Sequence, residues 1–247
     1  MKAKSIEKKE VDYRFKILYA LAIIMVLAGH SKGGGISLMF DWFPVQPVHL
    51  CIFMFASGYF YKQESEENVC SYIWKKVKKL IIPMYIYNLA YGILGQIISI
   101  NGPKIAGKIT WEALFIFPIT SGQHFGYNLG GWFIVPLFMV ELSNVLIRSV
   151  AKKLQIRIPE WLYFVVTVIL GMGGVYLASI GYNNSWWRVL VRWLFFLPFY
   201  YGGIFYKKIL EYHDTLPGGV FFHYFCTEIG SSSMAWEDAF LYAGSVQ

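Results

Sequence analysis

The chain has 247 residues, of which 56% are hydrophobic and 15% charged, with a formal net charge of +7. An average soluble domain carries roughly 25% charged residues, so this composition excludes an ordinary soluble domain, and its apolar residues fall in blocks that describe one bundle of membrane helices. Three cysteines, Cys51, Cys70 and Cys226, have neither paired nor metal-ligand spacing, which argues against a disulfide framework and against a metal site.

A bilayer core takes about 20 apolar residues in a helix. Six segments approach that length: 14–31, 46–62, 80–100, 129–147, 161–181 and 187–206. The first has basic residues ahead of it, as a cleaved leader does, but five further spans follow with no soluble domain after them. The expected fold is therefore all-α, a polytopic integral membrane protein of about six helices, multi-pass in the plasma membrane.

Charge placement orients the bundle. Lys2, Lys4, Lys8, Lys9, Arg14 and Lys16 precede or open the first span, Lys62, Lys75, Lys76, Lys78 and Lys79 lie between the second and third, and Arg148, Lys152, Lys153 and Arg157 lie between the fourth and fifth. Lys207 and Lys208 follow the sixth, whereas the outer connections hold only Lys32, Lys104 and Lys108. This bias puts the N-terminus and the end of the sixth span in the cytoplasm. The lipid bilayer then accounts for the positive charge, and no nucleic-acid partner is expected.

In the longest outer connection, WEALFIFPIT at 111–120 is too short to span. From residue 211 onward acidic residues interrupt the apolar runs, so residues 1–210 form the membrane domain and 211–247 an atypical tail without a span.

Ionisable groups at membrane depth are costly and mark function by default. Here they are His30, His49, Glu141, Arg188 and Arg192, with Asp41 in the first outer loop. His30 closes the first span on the outer side. Tyr19, eleven residues earlier, returns to nearly the same helix face roughly 16 Å deeper, and Lys16 lies about 21 Å deeper on a nearby face. One stripe thus joins an outer histidine to an inner lysine. His49 reads as a helix-end residue, and Asp41 as a loop residue able to orient a histidine or bind acceptor hydroxyls. Glu141 lies inside an apolar run, where Arg192 is its expected partner in a structural ion pair. Ser57, beside Gly58, marks close helix packing. The lysines of YIWKKVKKLIIPMYIY have two readings, contact with anionic headgroups or a site for a phosphorylated cytosolic ligand with Lys79 nearest the membrane.

Taken in order, RFKILYALAIIMVLAGHS, HLCIFMFASGYFYK, KKVKKLIIPMYIY, GWFIVPLFMVEL and RWLFFLPFYYGGIFYKK resemble the membrane acyltransferase-3 family over residues 12 to 208. The resemblance implies transfer of an acyl group, usually acetyl, from cytosolic acyl-CoA to hydroxyls of a surface or exported carbohydrate in the cell envelope. Acetyl-CoA is then a donor substrate, and no bound cofactor is expected. It implies His30 as the catalytic residue, Lys75, Lys76 and Lys79 as the acyl-CoA-binding run, and Ser57 in the aromatic stretch ending Ser-Gly. The family commonly has arginine eleven residues before the histidine; this chain has Tyr19, and Lys16 one turn deeper is the cation available to replace it. Transfer to a hydroxyl needs its proton removed, and an imidazole with an ordinary pKa near 6.5, partly desolvated, suits that task. Asp41, His49, Glu141 and Arg192 are supporting candidates.

Family members usually have about ten spans, so the resemblance implies a copy truncated at its C-terminus, whose inactivity is one alternative. A transporter of a sugar-linked or small-molecule substrate is the other, although no internal repeat of the kind common in transporters is visible.

Overall fold

The computed structural model describes residues 13–30, 45–101, 107–121, 131–182 and 184–212, without the side chains at 28–30, 45–48 and 101. Every regular element among the described residues is helical. In chain order these are α1 (Tyr13–His30), α2 (Val45–Tyr59), α3 (Val69–Lys76), α4 (Ile82–Asn101), α5 (Trp111–Phe115), α6 (Phe117–Thr120), α7 (Ile134–Lys153), α8 (Glu160–Ser179) and α9 (Ser185–Phe205). Single 3-10 turns occupy Gln63–Glu66 and Gly131–Phe133. The segments Val69–Ile100, Gly131–Lys153, Glu160–Ser179 and Ser185–Leu210 are long and apolar enough to cross a membrane, and His49–Tyr59 is a shorter apolar helix. The protein is an all-α membrane protein.

The third span begins earlier than its apolar run. α3 passes through a π-turn, Val77–Ile81, directly into α4, so the lysines expected in a connection are helical. Pro83 explains the turn. It has no N–H, and its ring crowds the carbonyl four residues back, that of Lys79, so the backbone widens. The Ile82 N–H accordingly donates to the Val77 carbonyl, five residues back.

α9 is the hub, packed against α2, α7 and α8, while α1 lies against α2. The main core joins Cys51 and Met54 of α2, Val140 of α7, and Phe196, Leu197, Tyr200, Tyr201 and Ile204 of α9. Small residues set the spacing. A Cβ at Gly58 would overlap the Tyr200 carbonyl oxygen, and one at Gly203 the Phe55 carbonyl oxygen, so α2 and α9 touch backbone to backbone. On the other side of α9, a Cβ at Gly171 would come within 2.9 Å of Pro198 Cγ, and one at Gly174 within 2.8 Å of Leu194 Cβ.

Ion pairs tie the ends that the charge bias places in the cytoplasm. Arg14 Nη2 donates to Glu211 Oε1 at 2.8 Å, and the Tyr59 hydroxyl donates to the same oxygen at 2.7 Å, which joins the start of α1 to the ends of α2 and α9. Arg148, buried in α7, grips both carboxylate oxygens of Glu160 at 2.9 and 2.6 Å, and its Nε donates to Asn144 Oδ1 at 2.8 Å. Its guanidinium also lies 4.5 Å from the Tyr163 ring centre, and Lys208 of the turn after α9 closes on Glu160. Lysine cannot make this fork. Arg148→Lys is therefore expected to lower stability by about 2 kcal/mol, the range of charge-assisted hydrogen bonds, read as a shift in the unfolding midpoint in micelles.

Candidate functional site

One cavity of about 560 Å³ lies between α1, α2, α3 and α7. Tyr19 comes from α1, Phe53 and Ser57 from α2, and Phe60, Tyr61, Lys62 and Ser65 from the connection that follows. The helix running through the π-turn supplies Tyr72, Lys76, Lys79 and Leu80, and the α7 side supplies Phe133, Leu137 and Glu141. Periodicity explains the third set: Tyr72, Lys76, Lys79 and Leu80 recur at helical spacing on one face. Lys62 and Lys79 form an exposed, cationic rim beside the half-buried Ser65, and Phe53, Phe133 and Leu137 form an apolar wall opposite it. On the charge bias the rim is cytoplasmic.

Glu141 sits at the polar centre. Ser57 Oγ donates to its Oε1 at 2.6 Å, and Lys76 Nζ donates to the same oxygen at 2.5 Å. The glutamate side chain is 3% exposed, and Lys76 lies over the Tyr72 ring, 5.4 Å from its centre. A buried carboxylate is tolerated when a cation and further donors meet it; here both do. Ser57 therefore has a polar role in addition to the close packing of its neighbour Gly58.

The expected pairing of Glu141 with Arg192 is corrected. Because α3 continues as a helix instead of ending in a loop, Lys76 is carried to α7 and takes the glutamate. Side chains of a helix lean toward its N-terminus, so Arg192 leans away from this centre and stacks on Trp132, 4.4 Å from the ring centre.

The acyl-CoA lysines divide. Lys76 and Lys79 line the cavity, while Lys75 is exposed and off its wall, and Lys78 lies over the Trp74 ring at 5.2 Å. Tyr19 lines the cavity, whereas Lys16 is exposed beside the Tyr13 ring and off the wall. The cations at the cavity are Lys62, Lys76 and Lys79 instead. His49 is buried in α2 and is not part of the lining. The backbone of His30 ends α1, its side chain lies outside the described residues, and so does Asp41. Lys62, Tyr61 and Tyr72 are cavity residues that the sequence reading did not select; for Tyr72 the signal was its place four residues before Lys76.

The acyltransferase-3 family model, an acyltransferase domain, matches residues 12–222. No curated protein and no solved structure matches the chain. The family match takes in every helix described above, including both walls of the cavity, and the chain belongs to the acyltransferase-3 family of membrane proteins.

Proposed function

We propose that the chain transfers an acetyl group from cytosolic acetyl-CoA to a hydroxyl of a surface or exported carbohydrate, working in the plasma membrane. The observation that carries this reading is the cavity itself. Its lysine rim faces the side where a phosphorylated donor arrives, and its wall includes Tyr19 of α1, the helix whose other end is His30.

Each part has a role. Lys79 and Lys62 meet the donor's phosphates as mobile point charges, and the narrow thioester arm extends past Glu141 along the apolar wall. His30 lies eleven residues beyond Tyr19, roughly 16 Å further along α1, where an acceptor at the outer face meets the thioester. The imidazole takes the hydroxyl proton as the oxygen attacks the acyl carbon. The carbon–sulfur bond breaks, and the proton passes to the departing CoA thiolate, giving the ester and free CoA.

Membranes holding the full chain, supplied with acetyl-labelled acetyl-CoA and a glycan extract, test this directly. His30→Ala is expected to lower transfer by about 100-fold or more, the usual span of acid–base catalysis, at unchanged protein level. Lys79→Ala is expected to raise KM for acetyl-CoA about three- to tenfold with a smaller change in kcat, the pattern of lost uniform binding. Transfer unchanged by His30→Ala overturns the assignment of the base. A well-inserted wild-type chain that consumes no acetyl-CoA overturns the reaction.

A further inference from the structure

Arg192 is a cation within an apolar span that the cavity does not use. It lies seven residues into α9, roughly 10 Å from that helix's outer end, and it is half-buried. Trp186 and Trp187, exposed at the first turn, mark the interface above it. A cation at this depth ordinarily has an anionic partner. Among the described residues Arg192 has none: its guanidinium meets only the Trp132 ring, at 4.4 Å.

Arg188 lies one turn nearer the outer end, and both side chains lean toward the N-terminus of α9, which is the outer side. Two guanidinium groups stacked along one helix face repel each other, more strongly where water is scarce. Stacking on Trp132 offsets part of the cost, yet it satisfies none of the N–H donors of Arg192. An anion with several acceptor oxygens would satisfy them, and the planar fork of arginine matches phosphate in two hydrogen bonds.

We infer that Arg192 binds the phosphate group of a membrane-embedded amphiphile at the outer face. Two sources share that chemistry, a polyprenyl-phosphate carrier of the acceptor sugar and an ordinary phospholipid headgroup. The first of these rests on the acyl-transfer reading; phosphate binding itself does not.

The test uses the purified full chain in neutral micelles, with neither acetyl-CoA nor turnover, so its failure is separate from failure of the proposed reaction. Binding of a polyprenyl phosphate, of dioleoyl phosphatidylglycerol and of uncharged polyprenol is read by native mass spectrometry. For the wild-type chain at least one phosphate amphiphile is expected to bind tenfold or more tighter than polyprenol. Arg192→Gln is expected to remove that preference, and Arg192→Lys, which keeps the charge without the fork, to retain part of it. A preference for polyprenyl phosphate over phosphatidylglycerol assigns the carrier, and equal affinity assigns the headgroup. A wild-type chain that does not distinguish the phosphates from polyprenol overturns the site. So does a folded Arg192→Gln protein that still prefers them as strongly.

Discussion

A single methyl group at Gly203 is expected to cost this membrane protein at least about 3 kcal/mol, at or above the upper end of the usual penalty for overpacking a core. The Cβ of Gly203→Ala would occupy the place of the Phe55 carbonyl oxygen and press on the Tyr59 amide nitrogen. Backbone cannot rotate away as a side chain can, so α2 as a whole must withdraw from α9. Ser57 and Gly58 lie in the same part of α2, and the bond from Ser57 to Glu141 moves with them. Gly58→Ala, which meets the Tyr200 carbonyl, is expected to behave alike. Gly173→Ala is the control: a Cβ there meets nothing within 4 Å, and removing a helical glycine is expected to stabilise by about 0.5 to 1 kcal/mol. Unfolding midpoints in micelles check all three. A Gly203→Ala protein as stable as the wild type would mean that α2 and α9 do not meet this closely.

The second large effect is electrostatic. Lys76→Met removes the cation from Glu141 and leaves a carboxylate, 3% exposed, with only the Ser57 hydroxyl. Breaking one side of a buried pair costs about 3–5 kcal/mol, whereas replacing both partners by apolar residues is often neutral. The single variant is therefore expected to be severely destabilised, and Lys76→Met with Glu141→Leu to recover most of the loss, as a double-mutant cycle would measure. If the recovered protein also fails to use acetyl-CoA, the polar centre of the cavity serves the donor and not the fold. Equal losses in the single and double variants would show that the two groups do not act as a pair.

The all-α bundle was legible because it rests on long apolar runs, signals summed over many residues. Pairings inside the bundle rest on single rotations, and there the sequence was a weaker guide. Glu141 and Arg192 are plausible partners as two unlike charges within apolar runs, but which charges meet depends on how α3 approaches α7. Arg148 illustrates the same limit. It reads as one more basic residue at the cytoplasmic end of a span, and only the meeting of α7, α8 and α9 turns it into a clamp on Glu160. The division of Lys75 and Lys78 from Lys76 and Lys79 was not within reach of helical spacing, since Lys75 lies four residues before Lys79 and shares its face; it depends on how the helix meets α7.

That segment has a further property. A π-turn behaves as though one residue had been inserted in an α-helix, which advances everything beyond it by about 100°. The helix from Val69 to Ile100 is continuous in space and yet out of step with itself on the two sides of Val77–Ile81. The face that α3 turns to the cavity and the face that α4 turns to lipid are consequently set by different counts. Pro83, which touches neither donor nor acceptor in the scheme above, fixes the angle between them, so one missing N–H sets the aim of the lysines.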